Sequence, residues 1–599
     1  MKKILYSYDI WDTILKRHCP PKDTIRISVY IFLLYYGITQ HLNDILENIF
    51  QKENEYFNKN KEYYIFDLLY QEVKKIKNLD LTNIDKKQLK KIWDNIYINV
   101  EKKSTYPNKK ILELKDKDKG EKIYISDFYI EKKLLDNILN HHNIYFNDGF
   151  VSCDENKNKY SGDLYEKIKN IYHTNSINWV HTGDNKISDI KVARSLKIKT
   201  RYVNKFNLSN KIKKLFPVKK QYNDIENLSI ILIGFSKFIL EECKKNKVND
   251  IYFFTREGVT FKRFFDLFLK EISSNFNINF NIKTHIVYVS RTATIPLRLD
   301  INDSYLGFKD AILQYGNDTN TFLSFFNLSK KLAHLSEKYK KIEELLKNEK
   351  DKRILIELIS NKKNLAINYL ESLGFFEKNK LIVDIGWRGS IQDNLSHIDK
   401  KIKLGCYLGL FEFFQNQNNA KKEGYIFNNN TNKESIFHKG VDFWETIFNT
   451  KGGSVTSYVN NIPKKKINKD EELFLDEVIN VQEIIYNEAK HRLHDIIKNK
   501  LSLLDIDNHA RLAYKKISTR PSSYLADLYL SSLQNENYGL NSFKRKYINI
   551  TIKSLIKSFF NKKEKESISN LIKNNGWRES ILYSKSTSLS TKLSALIIK

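Results

Sequence analysis

Three short, largely apolar runs in the first third of the chain each break at their end into carboxylates and hydroxyls. Lys3 to Tyr8 runs into Asp9-Ile10-Trp11-Asp12-Thr13, Lys122 to Ile125 into Ser126-Asp127, and Asn178 to His181 into Gly183-Asp184, with Asp189 following. Such runs read as strands buried on both faces of a parallel sheet. Loops at the carboxyl ends of those strands collect along one edge of the sheet, where open α/β folds bind ligands. The pattern therefore constrains fold class and site position together. With Lys159 between the second and third runs, the set holds the parts needed to handle a phosphate monoester.

The chemistry accounts for the residue types. A phosphoryl group bears negative charge that must be neutralised before a carboxylate can approach it, so such a site needs a cation and fixed donors around one attacking oxygen. Asp9 is the candidate nucleophile. An isolated Asp-Thr or Gly-Asp pair would fit scattered surface carboxylates equally well; four elements in order, three of them on expected strand ends, do not. In order and spacing they resemble the haloacid dehalogenase superfamily. The resemblance implies Mg²⁺ held by Asp9, the Trp11 carbonyl and Asp184, with Asp189 in support, and phosphoryl oxygens held by Ser126 and Lys159. One position departs from it. Phosphatases of that superfamily usually carry a second Asp two residues after the nucleophile, which protonates the leaving oxygen and later activates water. Trp11 stands there, and Asp12 is the candidate substitute acid.

At 599 residues the chain is long enough for roughly three or four domains. Its net charge of +30 invites a nucleic-acid reading, but Lys, Asn, Ile, Tyr and Phe are abundant together, as an AT-biased genome produces. Clustered aromatic platforms and known binding motifs are missing, so no nucleic-acid partner is expected. The four cysteines, Cys19, Cys153, Cys243 and Cys406, are far apart and form neither a disulfide framework nor a metal spacing, which fits a cytoplasmic protein. No apolar run approaches the ~20 residues of a membrane span, and Asp9 and Asp12 lie where a signal peptide would be apolar.

The expected architecture is α/β: a first Rossmannoid domain over 1–210 with a helical cap over about 20–119, a second α/β domain over 225–460 with helical insertions, and a helical basic region over 461–599. The cap rests on helical periodicity in Ile25 to Tyr36 and Asp67 to Ile76, and would cover the site and select substrates. Asn204 to Asn227 reads as a linker.

The second domain repeats the logic of strand ends. After a helix over about Leu228 to Lys244, the strand Asp250 to Phe254 leads to Thr255-Arg256-Glu257-Gly258 and a helix from near Thr260. The strand His285 to Val289 ends in Ser290-Arg291. Beyond a helical insertion over about Asp310 to Leu373, Leu381 to Val383 runs into Asp384-Ile385-Gly386-Trp387-Arg388-Gly389-Ser390 and a helix from near Ile391. Gly386 and Gly389 would let backbone approach an anion, and Ser390 and Arg388 add donors. Arg256, Arg291 and Arg388 each follow a strand, and a planar fork suits phosphate better than a lysine does. The plainer reading pairs these arginines with structural carboxylates such as Glu257 and Asp384.

This plan resembles the phosphoribosyltransferases, which bind phosphoribosyl pyrophosphate, although those enzymes usually show paired acidic residues where this chain has Asp384 alone. A dehalogenase-type phosphatase followed by such a domain resembles the dual-domain ribofuranosyltransferases of bacterial surface-polysaccharide assembly. That resemblance, over about residues 1–460, implies transfer of 5-phosphoribose to a glycan acceptor, free or lipid-linked, by the second domain and removal of the 5-phosphate by the first. Asp384 would contact the ribose hydroxyls or a metal ion, and Arg256, Glu257, Gly258, Arg291, Gly386, Arg388, Gly389 and Ser390 the donor. A different reading is a phosphatase for another sugar phosphate fused to a glycan-binding or scaffolding module. Two readings also fit the Lys-rich stretch Lys544 to Lys565: peripheral contact with anionic lipid at the inner membrane, or a solvated helix packed on the second domain. The block Gly440 to Glu445 and the turn Gly452-Gly453-Ser454 read either as acceptor contacts or, for Trp444, as core.

Overall fold

The computed structural model describes residues 4–76, 85–173, 178–204, 223–298, 308, 312, 316–413, 421–432, 434–467, 469–535 and 543–598. They fall into two compact units, one of Met1–Gln221, Glu271–Phe280 and Leu493–Leu504, the other of Tyr222–Lys270, Asn281–Arg492 and Asp505–Lys599. Each is built on a five-stranded parallel sheet, so the chain is α/β with large helical regions.

The first unit contains β1 (Ile4–Tyr8), β2 (Leu15–Arg17), β3 (Thr105–Pro107), β4 (Glu121–Ser126), β5 (Asp148–Val151), β6 (Asn178–Gly183) and β7 (Lys199–Tyr202). The sheet runs β5-β4-β1-β6-β7, every neighbouring pair parallel. Central β1 is buried almost throughout, which is why its apolar residues do not alternate with polar ones. Leu5, Ile123, Ile125, Phe150, Leu164, Tyr165 and Trp179 form the core against it. The chain leaves β1 toward β4 and β5 and returns to its other side with β6, so the direction of winding reverses between β1 and β6.

The insertion expected over 20–119 has a sharper boundary. β2 and β3 pair antiparallel as a stem, and between them lie α1 (Pro21–Tyr36), α2 (Leu42–Asn58), α3 (Ile65–Val73) and α4 (Lys86–Ser104). The helix Lys109–Lys117 lies beyond the stem. Two three-residue strands carry too little periodicity to be read from sequence. Glu101 of α4, fully buried, accepts from Arg17 at 3.2 Å, Tyr97 at 2.8 Å and Thr24 at 2.9 Å, and so ties the cap to its stem.

The second unit contains β8 (Asp250–Phe254), β9 (Lys283–Val287), β10 (Lys380–Asp384), β11 (Ile402–Leu410) and β12 (Lys422–Asn428), in the order β12-β11-β10-β8-β9 and again parallel. Winding reverses here between β8 and β10. β9 lies two residues before the expected His285–Val289, because pairing of Asp250 with Lys283 through Phe254 with Val287 sets its register. β11 and β12 were not expected, and β11 contains Gly405 and Gly409. Those glycines are required by close packing, since a Cβ would lie 1.9 Å from Gln392 Oε1 at Gly405 and 2.3 Å from the Phe427 ring at Gly409.

The expected linker Asn204–Asn227 lies mostly outside the described residues. Its last part begins the helix Asp224–Lys245, opened by a reciprocal capping box of Asn223 and Glu226. Past 461 come β14 (Ile462–Lys466), paired with β13 (Ser454–Val459), and then mainly helices, interrupted by the strand Phe543–Arg545 within the stretch expected to be helical. Trp444 is core: fully buried, stacked on Tyr514 with centroids 4.2 Å apart. No helix among the described residues is long and apolar enough to cross a membrane.

Candidate functional site

The loop after β1 is shaped to return a carboxylate to the sheet edge. Asp9 N still bonds Thr182 O at 2.9 Å, extending the β1–β6 pairing by one residue. Asp12 then takes a left-handed φ of 59°, a conformation Asp tolerates better than most residues, and the turn closes through Asp12 N to Leu15 O at 2.7 Å. Asp9 and Asp184 thus stand at the ends of β1 and β6, beside the reversal in winding where such sheets bind ligands.

Lys159 joins the parts. Its buried Nζ lies 2.6 Å from Asp9 Oδ1 and 2.7 Å from Asp189 Oδ1, while its backbone N donates to Asp127 Oδ1 at 2.8 Å. Thr13 Oγ1 donates to Asp184 Oδ1 at 3.2 Å. One carboxylate oxygen from each of Asp9, Asp184 and Asp189, all three residues buried, lies within 4.8 Å of the others; among the described residues this is the one such cluster. Burial pushes the Asp9 carboxyl above its ordinary range, against the pull of Lys159. Burial acts the same way on Asp189, but Lys159 and His181 outweigh it and hold that carboxyl low.

Behind Asp189 runs a chain that the sequence reading missed. Trp179 Nε1 donates to Ser7 Oγ at 2.8 Å, Ser7 Oγ lies 2.7 Å from His181 Nδ1, and His181 Nε2 lies 3.3 Å from Asp189 Oδ1. Asp189, held ionised, can only accept, so the hydrogen on His181 Nε2 points at it, and Ser7 Oγ bridges the indole to Nδ1. The available signal was a histidine in a strand otherwise buried. Beside Lys159, burial raises the Asp127 carboxyl to about 6, with Lys159 partly offsetting it.

Ser126 Oγ at the end of β4 is buried and has no hydrogen-bond partner, as is Thr182 Oγ1. Trp11 holds its ring 4.5 Å from that of Phe128, with the Arg17 guanidinium 3.7 Å over its face. Its Nε1 is buried without a partner. An indole N–H can donate a hydrogen bond to a leaving oxygen but cannot release a proton to it. An activated aryl phosphate is therefore expected to be cleaved about 10²–10⁴-fold faster than an alkyl phosphate, the span a missing general acid leaves open. Steady-state rates on the two substrate types check this. If Asp12→Asn slows both equally, Asp12 does not supply the proton.

The second unit gathers its polar residues at the ends of β8, β9 and β10. Arg256 Nη1 pairs with Glu471 Oε1 at 2.6 Å, a partner the sequence reading did not name. Glu257 opens the helix Glu257–Phe276, three residues before the expected start, with Gly258 in its first turn. Ser290 caps the short helix at Arg291 by accepting from Ala293 N at 3.0 Å. Asp384 is buried, with Ile385 N donating to it at 2.8 Å, and Trp387 Nε1 donates to Glu445 Oε1 at 2.8 Å. Burial and the nearby Glu257 raise Asp384 to about 8, against the pull of Arg291. Burial and Glu257 likewise raise Glu445 to about 7, with Arg291 again opposing. Glu257, Asp384, Glu445 and Arg291 thus share one electrostatic environment.

The Gly386-to-Ser390 loop departs from the expected phosphate cradle. Gly386 is needed, since a Cβ there would lie 2.3 Å from Gly409 O. Gly389, at a φ of 65°, caps the helix Ser390–Ser396, which is only seven residues long, too short to aim a substantial dipole at an anion. Arg388 Nη1 donates to the Glu412 carbonyl at 2.6 Å.

No protein-family model matches this chain, and no curated protein does. Among solved structures, the L-2-haloacid dehalogenase from Xanthobacter autotrophicus aligns with 37% of this chain and 84% of its own length, at 11% identity and a TM-score of 0.25. The fold class stands on strand order and register.

Proposed function

We propose that the chain is a bifunctional ribofuranosyltransferase of surface-polysaccharide biosynthesis. Its second unit transfers 5-phosphoribose from phosphoribosyl pyrophosphate to a glycan acceptor, and its first unit removes the 5-phosphate by attack of Asp9. The arrangement of Asp9, Lys159, Asp184 and Asp189 at the winding reversal of the first sheet carries the phosphatase half of this reading. In it, Asp9 supplies the attacking oxygen. Lys159 holds Asp9 and Asp189 in register and offers its charge to a phosphoryl oxygen. Ser126, with a buried and unpartnered hydroxyl, donates to a second one.

Three buried carboxylates this close together fit Mg²⁺, a hard cation that takes oxygen ligands. Asp9, Asp184 and the Trp11 carbonyl would hold it, with Asp189 in support. When bound it would neutralise phosphoryl charge and favour the ionised form of Asp9.

For the second unit, the reading is supported by Arg291 among Glu257, Asp384 and Glu445 beside the winding reversal of its sheet. Arg291 would bind donor phosphate, and Asp384 the ribose hydroxyls or a metal ion. The engagement of Arg256 with Glu471 and of Arg388 with the Glu412 carbonyl favours the other reading, a phosphatase for a different sugar phosphate fused to a binding module. Incubating the full chain with Mg²⁺, phosphoribosyl pyrophosphate and a panel of glycans, and weighing the products, separates the two. A glycan that gains a pentose supports transfer. Hydrolysis of sugar phosphates with every glycan unchanged supports the second reading.

A further inference from the structure

Two helices near the carboxyl end leave apolar stripes exposed, and one of them is packed inside out. In the helix Leu589–Ile597 the buried residues are Ser590, Thr591, Ser594 and Ala595, while Leu589, Leu593, Leu596 and Ile597 are exposed, Leu589 at 72%. The hydroxyls are what dock it: Ser590 Oγ donates to Ile550 O at 2.6 Å, and Thr591 Oγ1 accepts from Ile550 N at 2.8 Å. The helix Ile552–Phe560 begins just after that anchor and also exposes an apolar stripe. It buries Leu555 and Ser558 and exposes Ile552, Ile556, Phe559 and Phe560, the last at 89%. In both helices the exposed residues fall at i, i+4, i+7 and i+8, which is one face. The two helices touch.

Single exposed apolar residues are ordinary, but eight arranged as stripes on neighbouring helices mark a surface built to meet something apolar. Charge indicates what that is. Residues 552–599 carry ten Lys and Arg, at 553, 557, 562, 563, 565, 573, 578, 585, 592 and 599, against three acids, Glu564, Glu566 and Glu579. Lys553 and Lys557 lie on the first helix between its exposed apolar residues, and Lys562, Lys563 and Lys565 follow directly; all five are exposed. Pairing this face with a second copy of itself would oppose two strongly basic surfaces. A bilayer bearing anionic headgroups meets both requirements, taking the apolar stripes at the acyl boundary and the lysines at the headgroups.

We propose that the stripes Ile552-Ile556-Phe559-Phe560 and Leu589-Leu593-Leu596-Ile597, with the lysines around them, dock the protein on the surface of an anionic lipid bilayer. This is independent of the chemistry at either candidate site. The test is flotation of the full chain with vesicles of phosphatidylcholine alone and of an equimolar mixture of phosphatidylcholine and phosphatidylglycerol. The protein should float with the mixed vesicles only, and less so as salt is raised. Phe559→Ser with Phe560→Ser should weaken that binding by roughly tenfold or more for each phenylalanine, and Lys553→Gln with Lys557→Gln by roughly fivefold for each lysine. All of these residues are exposed, so both variants should melt like the parent. A parent that ignores the mixed vesicles, or variants that bind them like the parent, would overturn the proposal. So would concentration-dependent self-association that the phenylalanine variant abolishes while lipid binding is unaffected, since the face would then belong to a second copy.

Discussion

Asp9→Asn is expected to lower phosphate release by at least about 10³-fold, the scale seen when a covalent nucleophile is removed and binding is kept. The substitution takes away the attacking oxygen and one contact of Lys159, but Lys159 retains Asp189 at 2.7 Å, so the loop that carries it stays in place. Because burial already raises the Asp9 carboxyl, a neutral amide there also relieves a desolvation cost. Denaturation midpoints should therefore remain near the parent's while turnover collapses. Asp189→Asn should behave differently, since Asp189 accepts from Lys159, His181 and Asn185 N and is held ionised in the fold. Losing it should cost stability as well as rate. Phosphate release from an aryl phosphate, measured beside a denaturant titration, distinguishes the two. Parental turnover in Asp9→Asn would remove Asp9 as the nucleophile.

Asp384→Asn is expected to stabilise the protein relative to the parent, increasingly so as pH rises. A carboxyl whose folded pKa is raised to about 8 binds its proton in the folded state at pH values where the unfolded chain has already released it. Unfolding then loses protons, so stability falls with rising pH from near the ordinary Asp range up to about 8, and the parent carries the penalty in full above that. At about 1.4 kcal/mol per pKa unit the penalty is on the order of a few kcal/mol at neutral pH. An amide can still accept from Ile385 N, so it keeps the local bond without the ionisation cost. Melting curves of parent and variant between pH 5 and 8 should diverge steadily. A constant gap would mean that Asp384 does not titrate as its surroundings imply.

The first site was legible because its chemistry is written in short segments at strand ends. Asp9, Ser126, Asp184 and Asp189 each sit within a few residues of a buried strand, and the turn at Asp12 needs only local conformation. Lys159 follows no strand, yet its order in the chain marked it. What the sequence could not show was long-range pairing. The relay from Trp179 through Ser7 and His181 to Asp189 joins residues on β1 and β6, 172 positions apart at its first step. In the second unit, Arg256 finds Glu471 across 215 positions. Glu445 lies in a block read as acceptor contacts, and joins the cluster of Glu257 and Asp384 only once the chain folds back. The glycines of β11 make room for Gln392 and Phe427, a need that only the folded neighbours reveal. In the helix Leu589–Ile597 only burial shows that the hydroxyls point in and the leucines out.

Titration of phosphoribosyl pyrophosphate with Mg²⁺ into the full chain and into Arg291→Ala tests the transferase assignment most directly. The account predicts saturable binding by the parent. In the variant it should be weakened by roughly 10- to 100-fold, the loss of one charge-assisted phosphate contact of about 1.5–3 kcal/mol. No binding by the parent, or equal affinity in the variant, would contradict it.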